Sequence, residues 1–248
     1  MAISYEQAGV PVREDLPAAH RRAWARLARA GTWWSGAERV AIAAEVRRAA
    51  DCELCAARLT ALSPYAVPGE HDATAALSAP AVDAVHRLTT DPGRLTRAWF
   101  DATAARGLGD AQYVELLGVV VTVVGIDSFC RGLGVPPHPL PEPVAGAPTR
   151  ARPAAARREE AWVPMLPNGR QLGAEADLWG ESPGGRTGNV IRALSLVPDE
   201  VRTLKDLSAA HYMTTAEMMD LRSPRHSLDR RQVELVAGRV SALRGCFY

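Results

Sequence analysis

Apolar residues recur at helical spacing along most of the chain, and no stretch alternates convincingly with period two, so the pattern predicts an all-α fold. Residues 16–30 mix apolar side chains and arginines at helical intervals. Residues 38–62 set Val40, Ala43, Ala44, Val46, Ala50, Leu54 and Leu59 on an alanine- and arginine-rich background. Both residue types favour helix, so one long helix is expected, with Ser35 as its N-cap and Ser63-Pro64 as its stop. Residues 80–88 form a further helix with Pro80 in the first turn, and residues 95–106 another closed by Gly107. Residues 110–133 are the most apolar segment and read as the central helix, ended by Gly134-Val135-Pro136.

The stretch 135–156 interrupts this pattern with seven of the chain's 18 prolines. Proline fixes φ and removes a backbone donor, so neither helix nor central strand is expected there. The organisation read from the chain is a helical domain at 1–134, a Pro-rich linker at 135–160 and a second, partial helical domain at 161–248. The second domain starts with turn signals at Asn168-Gly169 and Pro183-Gly184-Gly185. Helices follow at 189–196, 198–210 and 215–219, and a last one is capped by Asp229.

With 47% apolar residues, the 248-residue chain can bury a sizeable core. Its net charge of +1 provides no strong pull toward nucleic acid or membrane, and neither is expected as a partner. The N-terminus has no basic n-region or apolar h-region, and the longest nearly apolar run, 116–126, is shorter than the roughly 18 residues that suggest a span. A cytoplasmic protein is expected. The segment from Gly180 to Thr187 approaches a phosphate-loop pattern, but Asp177-Leu178-Trp179 is a poor strand to precede one, and a plain loop is the reading.

Four cysteines are present: Cys52, Cys55, Cys130 and Cys246. Cys52 and Cys55 lie three apart, on one face of the expected long helix, with Arg48 and Arg58 near enough to favour a thiolate and Asp51 and Glu53 opposing it. The pair reads as a redox dithiol, as two buried apolar residues or as part of a metal site. Zinc takes four ligands, and no second Cys-x-x-Cys or His pair at ligand spacing is apparent, so no metal or other cofactor is assigned. Cys130, in the apolar helix beside Phe129, reads as buried.

The last helix, with Glu234 twelve residues before Gly245-Cys246, closely resembles the active helix of the AhpD-like (alkylhydroperoxidase, carboxymuconolactone decarboxylase-like) family. In that family a Glu is followed twelve residues later by Cys, then x-x-Cys, then x-x-x-His. The Glu, Cys and His form a proton relay, and the cysteine pair reduces peroxides. By this resemblance Glu234 is the relay acid and Cys246 the first cysteine, and the second would follow Tyr248 directly. Three explanations are open at that position: a degenerate half-domain, a fragment, or a stop codon recoded as selenocysteine, the last to be checked in the gene's next codon. The first unit resembles the family too: Cys52-Glu53-Leu54-Cys55 matches the cysteine pair, Asp110-Ala111-Gln112-Tyr113-Val114-Glu115 the neighbouring helix, and Arg131-Gly132-Leu133-Gly134 its close. Leu59 stands at the relay His. Glu38, the first unit's candidate acid, and Glu45 lie fourteen and seven residues before Cys52 rather than twelve. His71 and His86 are the histidines able to replace the relay base if the fold brings them near Cys55; each also reads as an ordinary core or surface histidine.

The resemblance implies an AhpD-like helical bundle built as a tandem repeat with an incomplete second unit. It implies a thiol-dependent peroxidase with Cys52, Cys55, Cys246, Glu234 and Glu38 as catalytic candidates. Its partners would be a peroxide substrate, a thiol or disulfide reductant protein and further copies of itself in a homo-oligomer. Two other classes stay open: a non-catalytic helical oligomerisation or binding module, and a carboxymuconolactone decarboxylase-type lyase.

Overall fold

Helices form where the apolar spacing places them, apart from a break inside 38–62 that the spacing conceals and a helix expected over 189–196 that stops at Arg192. The computed structural model describes residues 3–73, 77–169, 172–180, 182–220, 222, 226–243 and 245–246. Glu181 of the loop-like segment and the terminal Arg244, Phe247 and Tyr248 lie outside these residues. Among the described residues there are helices and no strand, only an isolated bridge between Arg157 and Met165, so the fold is all-α.

The helices are α1 (Asp15–Ala28), α2 (Gly36–Arg48), α3 (Glu53–Thr60), α4 (Ala79–Thr90), α5 (Arg97–Ala105), α6 (Asp110–Gly132), α7 (Asn189–Arg192), α8 (Pro198–His211), α9 (Thr215–Met219) and α10 (Arg230–Leu243). The expected single helix over 38–62 is therefore two. Residues Ala49–Asp51 tighten into a 3-10 turn, and Cys52 is extended at φ −73°, ψ 121° before α3 begins. No Gly or Pro marks the break; the turn packs against α4, so tertiary contact overrides a strong helix propensity. Cys52 consequently stands at the N-cap of α3 rather than sharing a helix face with Cys55.

Ser35 caps α2 as expected, in a capping box. Its Oγ accepts from the Glu38 backbone N–H at 3.3 Å, while Glu38 Oε2 accepts from the Ser35 N–H at 2.8 Å. At the other end of the bundle, α6 stops in a Schellman turn: Gly134 takes φ +69° and the Val135 N–H reaches the Cys130 carbonyl at 3.0 Å. Long and apolar enough to cross a membrane by length and composition, α6 is the core helix here. Leu116, Val123, Ile126 and Cys130 are fully buried as α2, α4 and α8 pack around it.

Residues on both sides of the proline-rich stretch share one core, which runs from Ile3 to Ala210. α8 lies on α1 and α6. Gly118 of α6 permits that approach, since a Cβ there would meet Glu200 Oε2 at 2.2 Å. Glu200 and Glu115 flank the buried Arg39, whose Nη1 donates to Glu115 at 2.5 Å and to Glu200 at 2.8 Å. Burial raises the pKa of Glu115, and Glu200 raises it further, against the opposing pull of Arg39. The α1–α8 seam is also closed by His20. Its Nδ1 accepts from the Tyr5 hydroxyl and its Nε2 meets His211 Nε2, both at 2.5 Å.

The proline-rich stretch has no helix, as expected, yet it is tied to the bundle. The Val144 N–H reaches the Ala28 carbonyl at 2.7 Å, and the Arg150 N–H reaches Thr32 at 2.8 Å. Trp24 Nε1 donates to the Pro139 carbonyl, and Arg47 to that of His138.

Candidate active site

The turn before α3 brings Cys52 and Cys55 together as buried thiols, 2% and 4% exposed. Two histidines close over them. His71 comes from the segment between α3 and α4, and His86 from the inward face of α4, beside Val82 and Val85. His71 Nδ1 lies 3.6 Å from both sulfurs, and His86 Nδ1 lies 3.3 Å from Cys55 Sγ. The rings are 4.3 Å apart between centroids.

Each histidine turns its other nitrogen to a carboxylate. His86 Nε2 donates to Glu45 at 3.1 Å, with both side chains fully buried. His71 Nε2 is 3.0 Å from Asp83 Oδ1. Asp83 also accepts from Arg58 at 3.1 Å, Arg87 at 3.2 Å and Trp99 Nε1 at 2.7 Å. Burial opposes its charge, but the hydrogen bonds from His71 and Trp99 and the Arg87 charge outweigh burial and hold the Asp83 carboxyl well below the usual range.

The two imidazoles are driven apart. Burial opposes a charge on His71, but Asp83 and the two cysteine sulfurs outweigh it and lift the pKa to about 10. Burial lowers that of His86, and the neighbouring His71 lowers it further, against the partial support of Glu45. One ring is thus a resident cation and the other a neutral base. Burial likewise opposes ionisation of Cys52, but the Cys55 backbone N–H and His71 prevail, and the Cys52 thiol is lowered. Standing at a helix N-cap adds to this.

Several sequence expectations resolve here. The structure brings Cys52 and Cys55 together and adds His71 and His86 to them. Glu38 does not join them, because its carboxylate is occupied in capping α2; the acids at the histidines are Glu45 and Asp83. Arg48 is exposed, and Arg58 binds Asp83 rather than a sulfur, so His71 supplies the positive charge. Asp51 and Glu53 point to solvent. Asp83 was missed entirely. Its only sequence signal is its place one turn before Arg87 on α4.

Cys246 and Glu234 remain outside this cluster. Cys246 is exposed, and Glu234 accepts from the Tyr212 hydroxyl at 2.9 Å and from Arg230 at 2.7 Å. Trp34 is buried and donates to the Gln112 carbonyl. No protein-family model, curated protein or solved structure matches the chain, so its function is read from the geometry of this site.

Proposed function

We propose that the protein is a thiol oxidoreductase that reduces a peroxide through the Cys52-Cys55 dithiol, in line with the AhpD-like resemblance. The observation that carries this reading is the buried line Cys55 Sγ–His86 Nδ1–His86 Nε2–Glu45, at 3.3 and 3.1 Å. It orders a thiol, a neutral base and a carboxylate as a cysteine nucleophile requires.

The resemblance would give the attack to the second cysteine; the charge distribution favours the first. The Cys52 thiolate, held beside the His71 imidazolium, attacks the distal oxygen of ROOH. An S–O bond forms, the O–O bond breaks, and the alkoxide takes the His71 proton to leave as ROH. Cys55 then attacks the Cys52 sulfenic sulfur. Its proton passes to His86 Nδ1, with Glu45 stabilising the charged ring, and on to the departing hydroxide, which leaves as water. Two thiols and ROOH give a disulfide, ROH and water. A dithiol reductant protein returns the two electrons and two protons.

Thiol titration before and after one equivalent of hydrogen peroxide tests this. The expected result is loss of two thiols per chain in the wild type and an unresolved, single-thiol oxidation in Cys55→Ser. Unchanged peroxide consumption by Cys52→Ser would overturn the reading.

A further inference from the structure

The four groups at the dithiol also satisfy a requirement that peroxide chemistry does not impose. One donor atom from each of Cys52, Cys55, His71 and His86 lies within 4.8 Å of all the others. In a tetrahedral zinc site, Zn–S of about 2.3 Å and Zn–N of about 2.0–2.1 Å set the sulfur-to-nitrogen edge at about 3.6 Å. Three of the four sulfur-to-nitrogen edges are 3.6, 3.6 and 3.3 Å, and the fourth, between Cys52 and His86, is bounded only by the 4.8 Å limit. Both rings present Nδ1 inward and hand Nε2 to a buried or nearly buried carboxylate, Asp83 or Glu45. That outer pairing fixes the tautomer and orientation of a metal-ligating histidine. A relay needs only one such histidine; a closed metal site needs both.

We propose that the reduced protein binds one zinc ion through Cys52 Sγ, Cys55 Sγ, His71 Nδ1 and His86 Nδ1. Zinc binding displaces the proton that His71 carries in the metal-free site, and the resulting two thiolates and two neutral imidazoles make a set suited to zinc and balance its charge. All four positions are filled by protein and the cysteines are buried, so the metal is a structural or protective ion, without an open position for substrate. The ligands come from the α3 N-terminus, the segment after α3, and α4, so the ion would reinforce elements already joined by the Arg58–Asp83 and His71–Asp83 contacts. The sequence hides the site because its ligands are separated by fifteen and fourteen residues after the cysteine pair and only the fold converges them.

The proposal stands without peroxide activity, and its test separates the two. The full chain is reduced, stripped with a chelator, and titrated with Zn²⁺ against a chromophoric competitor and, separately, with Co²⁺. One zinc per chain is expected, with a tetrahedral cobalt spectrum carrying a sulfur-to-metal charge-transfer band. His71→Gln and His86→Gln are expected to lose the stoichiometric site while retaining the wild-type far-UV circular dichroism, and Asp83→Asn to weaken it by roughly 10–100-fold. Cys246→Ser should bind as the wild type does. Less than stoichiometric zinc in the folded, reduced wild type overturns the proposal. So does a cobalt spectrum that survives both histidine substitutions, or one that vanishes with Cys246→Ser. Peroxide consumption by the metal-free chain is scored separately and tests only the redox reading.

Discussion

The two cysteine-bearing regions invert the order their sequences suggest. The segment around Cys246 resembles the peroxidase helix most closely in wording, yet it is the less assembled. Of α10 only Val233 is buried, while Leu235, Val236, Val240 and Leu243 are exposed, at 75% for Leu235. The segment around Cys52 departs from the pattern at both the acid and the histidine, yet it gathers two histidines and two carboxylates around two buried sulfurs. Chemistry follows convergence in space: the first region draws partners from three elements, the second has Tyr212 and Arg230 on Glu234.

Kinetics should separate the regions most sharply. If the relay is His86 with Glu45, His86→Ala lowers the rate of disulfide formation by about 10²–10⁴-fold, read by stopped-flow thiol loss. Glu234→Gln should leave it within about twofold, since that carboxylate lies outside the dithiol cluster. A larger loss from Glu234→Gln than from His86→Ala would reverse the comparison.

Stability gives the next contrast. Arg39→Leu strands two buried carboxylates and is expected to cost about 3–5 kcal/mol in urea unfolding. Glu234→Gln, which removes the exposed carboxylate from Arg230, should cost about 1 kcal/mol or less. Equal costs would mean that α10 is as integral to the core as α2.

A smaller, pH-dependent effect marks where integration ends, at α8. Burial and the neighbouring histidines lower His20 to about 3, against 6.5 for an ordinary histidine. The unfolded chain therefore binds the proton more readily, and the seam's contribution is complete above pH 6.5 and lost as pH falls toward 3. Between pH 7 and 5 the stability advantage of wild type over His20→Gln should shrink by about 2 kcal/mol. An advantage independent of pH would show that His20 carries no such burden. The smallest effect expected is that of Leu235→Gln on α10, within about 0.5 kcal/mol.

Much of the helical framework was legible in the sequence, because caps and apolar spacing are local. Ser35 with Glu38 three residues on, Gly134 before Val135-Pro136, and the apolar run of α6 each predict their element directly. The break at Cys52 was not legible: residues 49–51 favour helix, and the turn is held from outside by α4. The candidate site was half legible. Its cysteines are adjacent in sequence, and His71 and His86 were visible as possibilities, but nothing local ranks Glu45 above Glu38. That choice is made by packing, which turns Glu45 inward beside Ile42 and Val46 while Glu38 closes the helix end.

The proline-rich strap has a consequence for the unfolded chain. A segment whose φ angles are already restricted by Pro136, Pro137, Pro139, Pro141 and Pro143 has little configurational freedom left to surrender. Hydrogen bonds from Val144 to Ala28 and from Arg150 to Thr32, with Trp24 on the Pro139 carbonyl and Arg47 on that of His138, hold the segment against the bundle without a helix of its own. Replacing those prolines with alanine would loosen the bundle by enlarging the ensemble it folds from, even at positions where no native contact is lost.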